Sequence, residues 1–206
     1  MGVSLEIIAN FGHHGKSNLK LKSDLENSTW AISKLLNDLG LIDRKLKKNI
    51  KKNELSFEWI ECENIGSLRV FKFVNSNLWI GFHSETCSIN LGINWLVFIK
   101  ESKIRESIRT LTREIVLNCG GSKSLYIPDT HWIPSCNAGN AFHEGKSFEE
   151  IEKVLIKSTL DGGSFLHFPT EVKDIFTSHF SEWTYEAFPF LIDVFEKDEK
   201  VHLMSN

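Results

Sequence analysis

The sequence predicts an α+β protein: an antiparallel β-meander over about residues 54–99, extended by flanking strands, with helices packed against it. Three observations carry this. Between Glu54 and Ile99 apolar residues recur with period 2, as in Leu55, Phe57 and Trp59. Short turn signals, Asn64-Ile65-Gly66 and Asn75-Ser76-Asn77, cut that region into runs too close together for anything but hairpin connections. Outside it, apolar stripes at helical spacing alternate with Gly stops.

In chain order, Val3 to Ala9 reads as a strand. A helix follows, with Ser23 and Glu26 as a capping box, Leu25, Ile32, Leu35, Leu36 and Leu39 as its stripe and Gly40 as its stop. The meander contributes runs at Leu68 to Val74, Leu78 to His83 and Ile93 to Ile99; the last, INWLVFI, is apolar throughout and is expected as a central strand. Ser102 to Cys119 is a helix with Ile104, Ile108, Leu111 and Ile115 inward and Gly120-Gly121 at its end. Ser124 to Ile127 is a short strand, and a helix capped by Ser147 and Glu150 follows, with Phe148, Ile151, Val154 and Leu155 as its stripe. A shorter helix is expected from Thr170, and a late strand over Phe188 to Phe195, which Pro189 restricts to an edge or to a strand's start because it cannot donate to a ladder. No repeat or linker divides the 206 residues, so a single domain with a flexible tail from about 197 is expected.

Composition excludes several classes. A net charge of -3 and pI of 6.2 argue against affinity built on nucleic-acid phosphates. No apolar stretch is long enough to span a bilayer, and the N-terminus lacks a basic region followed by a long apolar one. Glu6 stands where a myristoylation signal needs Ser or Thr. Cys62, Cys87, Cys119 and Cys136 form no CxxC pair or zinc spacing, so reduced structural thiols and a cytoplasmic location are expected.

Several motifs resemble chemistry. Gly15-Lys16-Ser17 matches the end of a phosphate-binding loop, but Asn10 replaces its first glycine, the next residues alternate rather than opening a helix, and the meander contradicts the parallel sheet of that fold. His13 and His14 are adjacent and read as a solvated turn. Lys45 to Lys52 is a basic run without interleaved aromatics, which suits a solvated connector better than a base-stacking surface. Arg105, Arg109 and Arg113 line one helix face, with Glu101, Glu106 and Glu114 near enough to pair with them.

The densest concentration of unusual residues runs from Ser124 to Gly145. Read as a connection of about twenty residues between strand and helix, it far exceeds the usual handful and implies a purpose. Tyr126, Asp129, His131, Trp132, His143 and Glu144 are the candidate partner-binding residues, since aromatic and polar loop side chains are what interfaces favour. The expected function is a non-catalytic cytosolic protein that binds a protein partner, of which an inhibitor or a toxin-neutralising, immunity-type protein is one form. No cofactor, metal, nucleic acid or membrane is expected. The alternative is a small hydrolase or metal-dependent enzyme that brings Asp129, His131, Cys136 and His143 together.

Overall fold

The computed structural model describes residues 4–12, 15–42, 58–129, 133–160 and 190–196. All described strands join one seven-stranded sheet of order β2-β3-β4-β5-β1-β6-β7. They are β1 (Ser4–Asn10), β2 (Trp59–Glu61), β3 (Arg69–Phe73), β4 (Trp79–Phe82), β5 (Thr86–Asn90), β6 (Lys123–Asp129) and β7 (Leu191–Val194). Every neighbouring pair is antiparallel. The meander is therefore present as β2 to β5. It gains its other neighbours when β1, first in sequence, inserts between β5 and β6. Asn75, at φ 64, makes the predicted turn between β3 and β4 in a conformation that asparagine tolerates better than most residues.

Helices cover both faces. On one lie α1 (Asn18–Glu26), α2 (Thr29–Asp38), α3 (Trp95–Lys100) and α4 (Ser102–Asn118), packed on Leu5, Ile7, Phe71, Phe82 and Tyr126. On the other lie α5 (Ile133–His143) and α6 (Phe148–Leu160), packed on Ile8, Val70, Leu125 and Ile127. The alternation Leu5/Ile7 against Ile8 along one strand places β1 between the two cores.

Four expectations are corrected. The apolar run at Ile93 to Ile99 is α3, not a strand: the Asn94 side chain caps it by accepting from the Leu96 N–H at 2.8 Å, and Trp95, Phe98 and Ile99 bury one helical face. The fifth strand is instead Thr86–Asn90, whose TCSIN carries too few large apolar residues to stand out. The first helix begins at Asn18 under a Ser17 cap, so Ser23 lies inside it, and a break at Asn27-Ser28 makes two helices of the one expected. Finally, the long connection after Ile127 is mostly α5, with Pro134 in its first turn, where a missing N–H costs nothing. Gly145, at φ 77, closes it, and the predicted capping box follows: the Glu150 carboxylate accepts from the Ser147 N–H at 2.9 Å and Ser147 Oγ accepts from the Glu150 N–H at 3.3 Å.

The helix predicted from Ser102 is α4, with Ile108, Leu111 and Ile115 fully buried. The late strand falls at Leu191–Val194, within the expected range, and β7 is at an edge of the sheet formed by the described strands; Pro189 lies outside the described residues. The expected helix from Thr170, the tail from 197, His167, His179, Leu55 and Phe57 lie outside the described residues.

Candidate functional site

Between the sheet and α5 lies a cavity of about 380 Å³. Its floor is the face of the sheet that α5 covers. Ser4 is paired with Asp129 and Glu6 with Ile127, so Glu6 and Asp129 are diagonal neighbours on that face of adjacent strands. Ser88 and Asn90 of β5 lie on the same face, one strand further along, and Trp79 of β4 closes that side. From above, α5 contributes Cys136, Asn140 and His143, spaced by four and three and hence on one side of the helix. Its Ala138, Ala141 and Phe142 pack into the core and hold it in place.

The charge in this cavity is one-sided. Among its described lining residues there are two carboxylates and neither lysine nor arginine. Half-buried Glu6 has its carboxyl pushed up to about 7, by burial first and by the negative charge of Asp129 second. Neither carboxylate has a hydrogen bond or ion pair with a described residue. Carboxylates placed in a cleft without a compensating donor are uncommon in purely structural roles.

Of the predicted site residues, the structure brings Asp129 and His143 to this cavity together with Cys136. Glu144 follows at the exposed end of α5. Tyr126 is not at the surface: the pleat turns it to the opposite face, where it is fully buried and stacks on Phe98 with ring centroids 5.4 Å apart. Its hydroxyl lies beside Ser124, Thr112 and Asp193, and burial, then the charge of Asp193, raises its pKa far beyond the ordinary range. His131 and Trp132 lie outside the described residues. Among the described residues no three His, Cys, Asp or Glu side chains stand together as a metal-ligand set.

Glu6 is the member that sequence reasoning missed. The available signal was a carboxylate within SLEIIAN, a strand otherwise apolar enough to be central. It could be recognised only with the knowledge that β1 is paired on both sides.

The remaining motifs resolve into structure. Helix α1 does open directly after Ser17, contrary to the sequence reading, but Lys16 is engaged within the protein: its Nζ reaches Asp24 Oδ2 at 2.6 Å and the Cys119 carbonyl at 3.3 Å. Asn10, at the first-glycine position, accepts from the Ser122 and Lys123 N–H groups at 2.8 and 2.7 Å. The antiparallel sheet also differs from the parallel one of phosphate-binding-loop folds. His13, His14 and Lys45 to Lys52 lie outside the described residues.

The arginine line is engaged within the protein. Arg105 is buried and donates to the Ile99 carbonyl at 2.7 Å, Arg109 reaches Glu106 at 3.0 Å and holds Asp193 through two hydrogen bonds of 2.9 and 2.7 Å, and Arg113 reaches the Glu196 carbonyl. His83 is satisfied: its Nδ1 accepts from the Ser84 N–H at 2.9 Å, which leaves Nε2 to donate to Ser67 Oγ at 2.9 Å. Cys87 and Cys119 are buried, and burial pushes the Cys119 thiol up to about 12 and Cys87 well above its ordinary value, as expected of inert structural thiols.

No known protein family matches the chain, and no curated protein is similar to it. Among the described residues no helix is long and apolar enough to cross a membrane.

Proposed function

We propose that this chain is a binding protein that recognises its partner through the cavity beneath α5, with Asp129 and His143 at the mouth, Glu6 on the floor and exposed Glu144 next to His143 in sequence. One observation carries the reading: side chains far apart in sequence, on β1, β5, β6 and α5, converge on one concave space whose described charged groups are carboxylates set among apolar walls. Its volume is within the range of about 300–1,000 Å³ typical of ligand sites. The buried position of Tyr126 moves the emphasis from a flat aromatic surface to a pocket that admits a protruding group. The test is capture with the full chain as bait, beside Glu6→Gln and Asp129→Asn baits. A stoichiometric partner retained by the parent and lost by both variants supports the reading. Equal retention by all three removes the cavity from recognition.

A second reading is favoured by one specific observation, the Glu6 carboxyl poised at about 7. A base tuned to neutral pH beside a second carboxyl group suits proton transfer in a small hydrolase. In that case a ligand that enters the cavity is turned over, and Glu6→Gln abolishes turnover while leaving binding measurable. Stoichiometric binding without any product rejects the hydrolase.

A further inference from the structure

We propose that the group accepted by this cavity is a cation, an ammonium or guanidinium, held between the Glu6 and Asp129 carboxylates. The inference rests on the cavity being the recognition site and adds the chemistry of what enters it. The described walls offer no lysine or arginine to receive a phosphate or carboxylate, so an anion would meet two acidic groups and nothing to neutralise it. A neutral ligand would leave both carboxylates without an opposite charge among the described walls. A cation completes both. The Trp79 indole on the same wall supplies an aromatic surface of the kind that cations favour, and Ser88 and Asn140 supply neutral polar groups that can accept the remaining N–H donors.

A proton already occupies part of this role. Glu6 is held near neutrality by burial and by Asp129, and the other titratable groups among the described lining residues are Cys136 and His143 of α5. An entering cation replaces the Glu6 proton, so binding strengthens as the pH rises. With a carboxyl titrating at about 7, the ionised fraction of Glu6, and with it the affinity, increases about tenfold between about pH 6 and pH 8. The charge can come from a lysine or arginine side chain of a protein or from a free amine, and the two sources share this chemistry.

The experiment is a titration of the intact chain followed by calorimetry and by the amide and indole resonances of Trp79, Asn90 and Asn140. The probes are 1,4-diaminobutane, an acetylated lysine amide with a free side chain, the neutral 1,4-butanediol and inorganic phosphate. The expected result is binding of an amine with shifts at these residues, weakened at least about tenfold in Glu6→Gln and Asp129→Asn, and strengthened with pH in both the parent and His143→Gln. Tighter binding of the lysine amide than of the diamine identifies a protein side chain as the source, and the reverse identifies a free amine. Binding of the diol or phosphate at the same residues with no amine preference overturns the cation while leaving the cavity as a recognition site. No shift at these residues with any probe overturns both. Unchanged amine affinity in Glu6→Gln with its fold intact overturns the clamp.

Discussion

Glu6 is an acidic residue in the strand that joins the two cores, and the fold holds its proton more tightly than the unfolded chain does. Its carboxyl is pushed up to about 7 from an ordinary 4.5, so the stabilisation it provides is fully present below about pH 4.5 and is lost as pH rises through about 7. The loss is at most about 3 kcal/mol and is reduced by water that reaches the cavity. Glutamine imitates the protonated form without titrating. Urea unfolding of the parent and Glu6→Gln between about pH 5 and pH 8 is therefore expected to show the variant gaining on the parent as pH rises. A stability difference that stays constant over that interval would refute the raised pKa. A site that keeps this group despite its cost at neutral pH is one where function and stability pull apart. Tyr126 makes the complementary point. Its type marked it as a contact residue, yet one step along β6 separates the core that holds it from the cavity face that carries Ile127 and Asp129.

The elements divide by whether local or distant contacts define them. The Ser102 helix and the Ser147 capping box were legible because their periodicity and caps act within a few residues. The run at Ile93 to Ile99 was not, since an unbroken apolar string fits a buried strand and a buried helix equally well. Asn94 decides it. Asn94→Ala is expected to cost about 1 kcal/mol in urea unfolding, and Asn94→Ser to recover most of that; equal stability of all three would deny the cap its role. At the sheet's edge, β7 is fastened to α4 by the paired Arg109 and Asp193, with Asp193 nearly buried. Asp193→Asn removes the charge and keeps the shape. It is expected to destabilise by about 1.5–3 kcal/mol and to speed amide hydrogen exchange in β7 before β1. Uniform loss of protection across the sheet would instead assign the pair to global stability. The sequence offered only nearby glutamates as partners for these arginines because the acceptors Asp193 and Glu196 lie 84 and 83 residues away from Arg109 and Arg113.

Across the whole molecule, the first strand completes a sheet whose other central members come much later, and the joint is made at two glycine contacts. Gly12 lies against the Gly120 carbonyl and Gly121 against the Asn10 carbonyl so closely that a Cβ at either position would collide with backbone. Gly121→Ala is therefore expected to destabilise by more than about 2 kcal/mol, seen as a lowered urea midpoint with an unchanged slope, whereas Gly139→Ala, with open space around it, is expected to be neutral or slightly stabilising on α5. Equal effects of the two substitutions would contradict the close approach.

Local patterns in the sequence by themselves determined the α+β class, the antiparallel meander, the turn at Asn75-Ser76-Asn77 and the helices at Ser102 and Ser147. These follow from period, turn residues and caps, which operate over a few neighbours. Only the tertiary structure decided that helices cover both faces, that β1 sits at the centre, and that Asp129, Cys136 and His143 share a cavity with Glu6. The reason is physical. Pairing between β1 and β6 joins residues more than a hundred positions apart, and both the burial that chiefly raises the Glu6 pKa and the Asp129 charge that adds to it come from elements whose proximity no local pattern records.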